Sequence, residues 1–388
     1  MSELTTGVPM QVQVHRRIGE IPAAQWDALL GDSNPFLRHT FLDALESEHC
    51  LRTDYGWTPH HLSLHAGDAL IGAVPIYLKG NSHGEFVFDW AWANAWEQAG
   101  RAYYPKLLAA VPYSPVSGPR LLVGSGDDAG ARRGLLAHAL RDQVDRLGLS
   151  SAHANFTDAQ DSAALAADGW LHREDTQFHW RNRDWPDFEA FLTALTAKKR
   201  KNIRQERAQV MQAGIHCTMR HGDEVASEDW SAIHRLYVAT FDDHGNLPVL
   251  TKGFFRRLAS AMPRQIIVCE CHFQGELAAM ALFLRSDETL YGRYWGARVD
   301  MPGLHFEACY YQGIEYCLRH GLATFEPGAQ GEHKIARGFL PTATHSYHYI
   351  ADPGFRDAVA HYLARERPSR RAYRANLLSH SPYRGDDE

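Results

Sequence analysis

The densest chemistry in the sequence lies in 326–339. Glu326, Gln330, Glu332, His333, Lys334 and Arg337 are interspersed there with three glycines. So many ionisable groups in a glycine-rich turn are costly inside a core and suit a site. His333, Lys334 and Arg337 fall within five residues. They can hold an anionic substrate while a neighbouring carboxylate or imidazole accepts a proton. His305 and Glu307 lie just upstream. Read as metal ligands, His305, Glu307, Glu332 and His333 fit no familiar ligand spacing, so no metal is expected. The competing reading of Lys334 and Arg337 is structural, as salt bridges to Glu326 and Glu332.

Three other stretches carry candidate chemistry. Trp90 and Trp92 lie in an aromatic run over 86–93 that reads as a strand, with Asp89 inside it and Asn94 just after; two tryptophans on one face of it form either core or a cleft wall. Residues 124–133 follow a predicted strand (117–123) and precede a predicted helix (132–147). A glycine-rich turn at a helix start offers backbone N–H groups to an anion, so Gly124, Gly126, Arg132 and Arg133 are candidates for a pyrophosphate, although Gly-Ser-Gly-Asp-Asp is also an ordinary loop composition. Lys199, Arg200, Asn202 and Arg204 belong to the basic cluster 198–207, on a helix ending at Gly214. That cluster is either a solvated helix face or an anion-binding one.

Regular elements must position these groups. Apolar residues recur at helical spacing over 305–318, and Arg319-His320-Gly321 supplies cations and a glycine at the helix end. Tyr291-Gly292-Arg293-Tyr294-Trp295-Gly296 precedes this helix as a strand, and 323–325 follows it as another. Two hairpins, 61–78 around Gly67-Asp68 and 266–284 around Gln274-Gly275, are each followed by a polar turn and an aromatic run, 86–93 in one case and 290–297 in the other. The matching order points to an internal duplication of one α/β unit. A strand over 344–350 and a helix from Asp352 to about Arg367 close the chain, with a polar tail over the last dozen residues.

Composition narrows the class. The chain has 388 residues, 45% hydrophobic and 22% charged, with a formal net charge of −6. That is the profile of a globular protein with room for two domains, and it disfavours a global attraction to nucleic acid. Six cysteines without a CxxC spacing, no apolar run long enough for a transmembrane segment and no leader-like start predict a reduced, cytoplasmic protein. Cys269 and Cys271, two apart in an apolar strand, face the same side.

Five motifs carry a family resemblance: Asn34-Pro35-Phe36-Leu37, Tyr103-Tyr104-Pro105-Lys106-Leu107, the 291–296 strand, Leu304-His305-Phe306-Glu307-Ala308-Cys309-Tyr310-Tyr311-Gln312 and Gly328-Ala329-Gln330-Gly331-Glu332-His333-Lys334. Together they resemble the bacterial FemAB-like N-acyltransferases, over roughly 34–367. The resemblance implies an α/β fold with a mixed sheet, built from tandem duplicated GNAT-like acyltransferase domains. They are assigned to 1–184 and 185–388, the second entered through the basic helix 196–213. It implies acyl-CoA as co-substrate, with pyrophosphate at Gly124, Gly126, Arg132 and Arg133, although Asp127 and Asp128 depart from the usual pattern of that turn.

Among relatives of Fem type it implies transfer of an aminoacyl group from aminoacyl-tRNA to an amine of a peptidoglycan precursor, with the basic helix and Lys334-Ile335-Ala336-Arg337 near the substrates. Either donor requires an amine to lose a proton and attack a carbonyl, and an oxyanion to be stabilised. On this reading Lys334 and Arg337 anchor the substrate and the oxyanion, and Glu332, His333 or Glu307 accepts the proton. Arg293, Trp295, His305, Gln330, Trp90 and Trp92 line the substrate. A non-catalytic alternative is a GNAT-like protein that binds an anionic peptide or RNA through the basic helix. Sequence does not decide the oligomeric state.

Overall fold

The computed structural model describes residues 9–31, 33–243, 247–329 and 331–385. Fourteen strands are present among them. They are β1 (Met10–His15), β2 (Trp57–Pro59), β3 (His61–Ala66), β4 (Ala69–Val74), β5 (Ile76–Lys79), β6 (Lys106–Ala109) and β7 (Ser151–Asn155). The remainder are β8 (Leu171–Arg181), β9 (Ile215–His221), β10 (Ile266–Phe273), β11 (Glu276–Arg285), β12 (Thr289–Ala297), β13 (Thr324–Glu326) and β14 (Leu340–Ile350). Strands β1, β3 and β4 make a small sheet, and the others form one eleven-stranded sheet in the order β2-β5-β6-β7-β14-β8-β13-β12-β11-β10-β9.

The duplication is visible in this order. Strands β6 and β7 are parallel and joined across helix α1 (Ala129–Leu147), and β12 and β13 are parallel and joined across a helix over 304–320. Parallel neighbours need such a crossover, and here each half builds one. The long strand that closes each half then pairs with the other half. β8 lies antiparallel to β13, β14 lies antiparallel to β7, and the two run side by side from Leu171↔His348 to His179↔Leu340. The halves therefore share one sheet by exchanging their last strands. They also share a core, in which Phe36 meets Tyr291 and Phe41 meets Phe254 edge to face, at 5.1 and 5.6 Å between ring centres.

Several local expectations are corrected. The run 86–93 is a loop entering a helix, Trp90–Gln98, so the counterpart of β12 is β6, the strand that opens on Lys106. Trp92, Ala93 and Trp96 recur at helical rather than alternating spacing and bury one face, while Trp90 stays 48% exposed. Residues 117–123 make only isolated bridges, Gly118↔Thr157 and Ala73↔Leu122, because Pro119 has no ladder donor. The last helix does not stop near Arg367. It runs from Pro353 to Leu378 through Pro368, held to β8 by Arg173–Glu366, Arg370–Asp175 and the pairs of Arg371 and Arg374 with Glu174. Nor is the tail wholly loose, since Tyr383 is buried, stacks on Trp185 and donates from its hydroxyl to the carbonyl of Gly338 at 2.7 Å.

The helix over 304–320, labelled α2, ends at Gly321 in the left-handed region (φ 66°), as the sequence predicts. Its middle turn, Glu307–Tyr311, is π-helical, a widening that often marks a functional site. Gly313 lets α2 lie directly on β13. A Cβ there would sit 2.4 Å from the Phe325 ring, which is itself wedged against Phe283 and Phe339. Gly313→Ala should therefore destabilise the fold by about 1–3 kcal/mol in chemical denaturation, despite the better helix propensity of alanine.

Candidate active site

The site begins where two strands part. β13 stays beside β12 only from Thr324 to Glu326, opposite Thr289 to Tyr291, and then ends. β12 continues to Ala297 along β11, with a bulge at Leu282/Phe283 that leaves Arg293 as the extra residue. A bulge re-aims the side chain it carries. Arg293, Trp295, His305, Cys309, Tyr310 and Pro327 line the opening, a cavity of about 100 Å³. The π turn brings Cys309 and Tyr310 to its wall.

Arg293 is the unusual group. Its side chain is 2% exposed, and its guanidinium lies against the Phe36 and Tyr291 rings, 4.9 and 5.4 Å from their centres. Nη1 donates to the carbonyl of Gly292 at 2.7 Å, whereas Nε and Nη2 have no hydrogen-bond acceptor. The nearest carboxylate oxygen, Oε2 of Glu326, is 3.9 Å from Nη2 and itself lacks a donor. Burial of unspent polar atoms is costly and calls for a functional reason.

Burial pushes the Glu326 carboxyl up to about 7, against the opposing pull of Arg293 and of the Ser117 backbone N–H. Lys334 is 3% exposed, donates from Nζ to the carbonyl of Gly328 at 3.0 Å, and is pulled down to about 8 by burial and the Arg293 charge. His179 on β8 is bound to Gln177 Oε1 at 3.1 Å. Burial and the charges of Arg181, Arg293 and Lys334 lower it to about 3. His305 meets the edges of Trp295 and Tyr310 and is lowered to about 4, chiefly by burial. Arg293 thus stands on the cavity wall beside a carboxyl raised to about 7, with Lys334 close enough to be pulled down by the Arg293 charge, an arrangement that favours an anion in the cavity.

The remaining candidates are dispersed. Glu307 points to the opposite side of α2, where Arg207 grips both its oxygens at 3.0 Å and Gln312 donates at 2.8 Å. Arg337 pairs with Glu206 at 2.8 Å and lies over the Phe306 ring, so it ties the turn to the basic helix α3 (Ala197–Gln212). The structural reading of this turn is therefore half right: Arg337 does make an ion pair, but with Glu206, while Lys334 binds carbonyls. Glu332 is exposed and accepts from Tyr373 at 2.5 Å, and His333 is exposed with its ring 3.0 Å from the Tyr310 hydroxyl. Gln330 lies outside the described residues. Trp92 packs on His348 in a core, and Trp90 lies on the surface.

The other two groups are largely occupied internally. The Gly124 N–H donates to Leu29, Arg133 is paired with the buried Asp161 at 3.1 Å, and Arg132 lies 3.8 Å from Asp128. Gly126 has φ 130° and an open flank. On α3, Arg200 approaches the carbonyls of Thr193 and Leu195, Arg204 pairs with Glu189, Lys199 is half-exposed and Asn202 is exposed.

Glu326, Cys309 and Tyr310 were not assigned roles from sequence. Glu326 could have been found, because it is the last residue of a strand and is followed at once by Pro-Gly. Beyond Pro327 and Gly328, Glu332, Asp175, Arg370, Phe86, Phe156 and Tyr373 line a second cavity of about 370 Å³. Phe86 and Phe156 are both held there in left-handed backbone, φ 59° and 58°, a strain that needs surrounding structure to maintain it.

The first half closes its equivalent position. Lys106 at the start of β6 is buried and paired with Glu85 at 2.7 Å and Asp89 at 2.5 Å. Asp89 also accepts from the Tyr103 hydroxyl at 2.6 Å. His153 and His348 meet ring nitrogen to ring nitrogen at 2.7 Å beside it. This cluster is nearly self-satisfied, so of the two equivalent positions the one in the second half is the open one.

The family model described as peptidoglycan biosynthesis/recognition, FemAB-like, matches residues 17–385. The chain belongs to the FemAB-like family. It is accordingly a transferase, of the acyl- or aminoacyl-transfer type, and its internally duplicated mixed α/β fold is the one expected from sequence. Among solved structures, FemX is 9% identical with a TM-score of 0.54, over 88% of this chain and 98% of that one. The C-terminal domain of a lysylphosphatidylglycerol synthetase from Agrobacterium fabrum is 11% identical with a TM-score of 0.52, over 87% and 93%. No curated protein matches the chain in sequence. No helix among the described residues is long and apolar enough to cross a membrane.

The raised Glu326 carboxyl predicts a pH signature. The folded state holds this proton up to about pH 7, while the unfolded chain releases it near 4.5. Its contribution to stability is thus present at low pH and is lost as pH rises through 7. Denaturation of wild type and Glu326→Gln at pH 5 and pH 8 should show the variant relatively more stable at pH 8. An equal difference at both pH values would contradict the assignment.

Proposed function

We propose that the chain N-acylates an amine at the opening between β12 and β13, taking the acyl group from acyl-CoA or, in the Fem-type variant, from aminoacyl-tRNA. The carrying observation is Arg293, a buried guanidinium with two unspent donor nitrogens on the wall of a cavity. Attack of an amine on a thioester or ester carbonyl puts negative charge on the carbonyl oxygen. Fixed donors in a water-poor site stabilise that charge far more than bulk water does. Arg293 supplies the donors, and Lys334 adds a second positive charge.

Glu326 accepts the proton of the attacking amine. Its carboxyl titrates near 7, in the range best suited to a general base at neutral pH. This replaces the bases expected from sequence, because Glu307 is locked by Arg207, Glu332 lies at the surface and His333 is exposed with its ring on the Tyr310 hydroxyl. No covalent nucleophile is used: burial pushes the Cys309 thiol up, so it stays neutral. The acceptor approaches from the cavity beyond Pro327 and Gly328, where Glu332 offers a carboxylate to an ammonium group while Asp175 is held by Arg370. A peptide amine of a peptidoglycan precursor fits this reading and the family description.

The non-catalytic alternative has less support. Arg204 and Arg207 of the basic helix are already matched by Glu189, Glu307 and Glu315. An RNA binder working through this helix would lose affinity steeply with salt and would need Lys199 and Arg200.

Acyl transfer from labelled acetyl-CoA, longer acyl-CoAs or a charged tRNA pool onto peptidoglycan-precursor amines tests the proposal. Arg293→Ala should lower kcat by about 10²–10³-fold with the fold intact. Glu332→Gln should change it little. Wild-type kcat/KM should rise with pH through a midpoint near 7, and Glu326→Gln should flatten that rise. Transfer that survives Arg293→Ala at full rate, or no transfer from either donor class, would sink the reading.

A further inference from the structure

Three cysteine sulfurs in the second half take no part in the chemistry above. Cys269 and Cys271 alternate along β10 and face the same side, and Cys271 stands directly opposite Cys217 on the neighbouring edge strand β9. The three Sγ atoms all lie within 4.8 Å of one another, Cys217 and Cys271 at 3.1 Å. Cys269 and Cys271 are buried, whereas Cys217 is half-buried and opens onto a cavity of about 530 Å³ shared with Arg207, Thr218 and Glu307. Sequence spacing hides this group, because it is assembled across two strands far apart in the chain.

A buried thiol ordinarily stays protonated and packs as a small apolar group. Here the sulfurs interact with one another. Three thiol protons are crowded among three sulfurs that all lie within 4.8 Å of one another. A soft cation can replace those protons and satisfy all three sulfurs at once. The donors are all sulfur, which disfavours magnesium and calcium and favours closed-shell thiophilic ions.

We infer that Cys217, Cys269 and Cys271 form a three-thiolate site for a d¹⁰ thiophilic cation, Zn²⁺ or Cu⁺, entered from the cavity beside the β9 edge. A trigonal ion is complete with these three ligands. A tetrahedral one keeps its fourth position toward the cavity. The cation enters as the thiols release their protons, with no change of oxidation state.

The test uses the reduced full-length protein without oxygen, titrated with Co²⁺ as a spectroscopic probe and then with Zn²⁺. In a separate arm, Cu⁺ is supplied against a chromophoric chelator. One Co²⁺ per chain should bind with sulfur-to-cobalt charge-transfer absorption and be displaced by one equivalent of Zn²⁺, or one Cu⁺ should be withdrawn from the chelator. The arm with the tighter binding names the ion. Cys217→Ser, at a half-buried position where folding is easily checked by circular dichroism, should weaken binding about tenfold or more. Cys50→Ser, in a different core, should not. The inference is overturned if the reduced protein, with its thiols counted as free, shows neither signal, or if Cys217→Ser/Cys271→Ser binds as tightly as wild type.

Discussion

A guanidinium held out of water with two donor nitrogens unspent is the constraint around which the second half is arranged. Such an ion carries a desolvation penalty of several kcal/mol, so the surrounding structure must hold it in place. The bulge in β12 aims Arg293 inward, the Phe36 and Tyr291 rings cover its faces, and the Gly292 carbonyl fixes one edge. The early end of β13 leaves room beyond Glu326, and the π turn of α2 closes that room with Cys309 and Tyr310. Phe36 comes from the other half of the chain and sits in a core to which both halves contribute.

The two halves use one skeleton for different ends. Each has a parallel pair bridged by a helix, but the first fills the corresponding position with Lys106, Glu85 and Asp89 in mutual contact. Ion pairs satisfied in this way rigidify without inviting a ligand. The second half leaves its charges partly unmatched and its cavity open. The first half then acts as scaffold, supplying Phe36, the Ser117 backbone N–H that reaches Glu326, and His179 on the exchanged strand β8.

Much of this was legible in the sequence. The hairpins, the 305–318 periodicity, the Gly321 stop and the duplicated order all come from local pattern, and Arg293, Trp295, His305 and Lys334 do converge. Legibility failed where tertiary contact overrode local rule. Pro368 reads as a helix end, yet the ion pairs of Arg371 and Arg374 with Glu174 carry the helix through it. Glu307 and Arg337 look catalytic by proximity in sequence, but a helix turns neighbouring residues to different faces, and these two were claimed by Arg207 and Glu206. The run 86–93 misled because its aromatic content resembles a strand while its burial follows a helical period.

The exchange of β8 and β14 also bears on how the protein is made. Until β14 has been synthesised, β7 and β8 each present an unpaired edge, and the sheet has a gap at its centre rather than at its rim. Unpaired edges in a growing chain are open to pairing with the wrong partner. The polar, largely buried face of β7 (Ser151, His153 and Asn155) makes it a poor template for apolar strands during that interval. The polar stretch at the middle of the molecule thus protects the nascent chain as well as shaping the finished sheet.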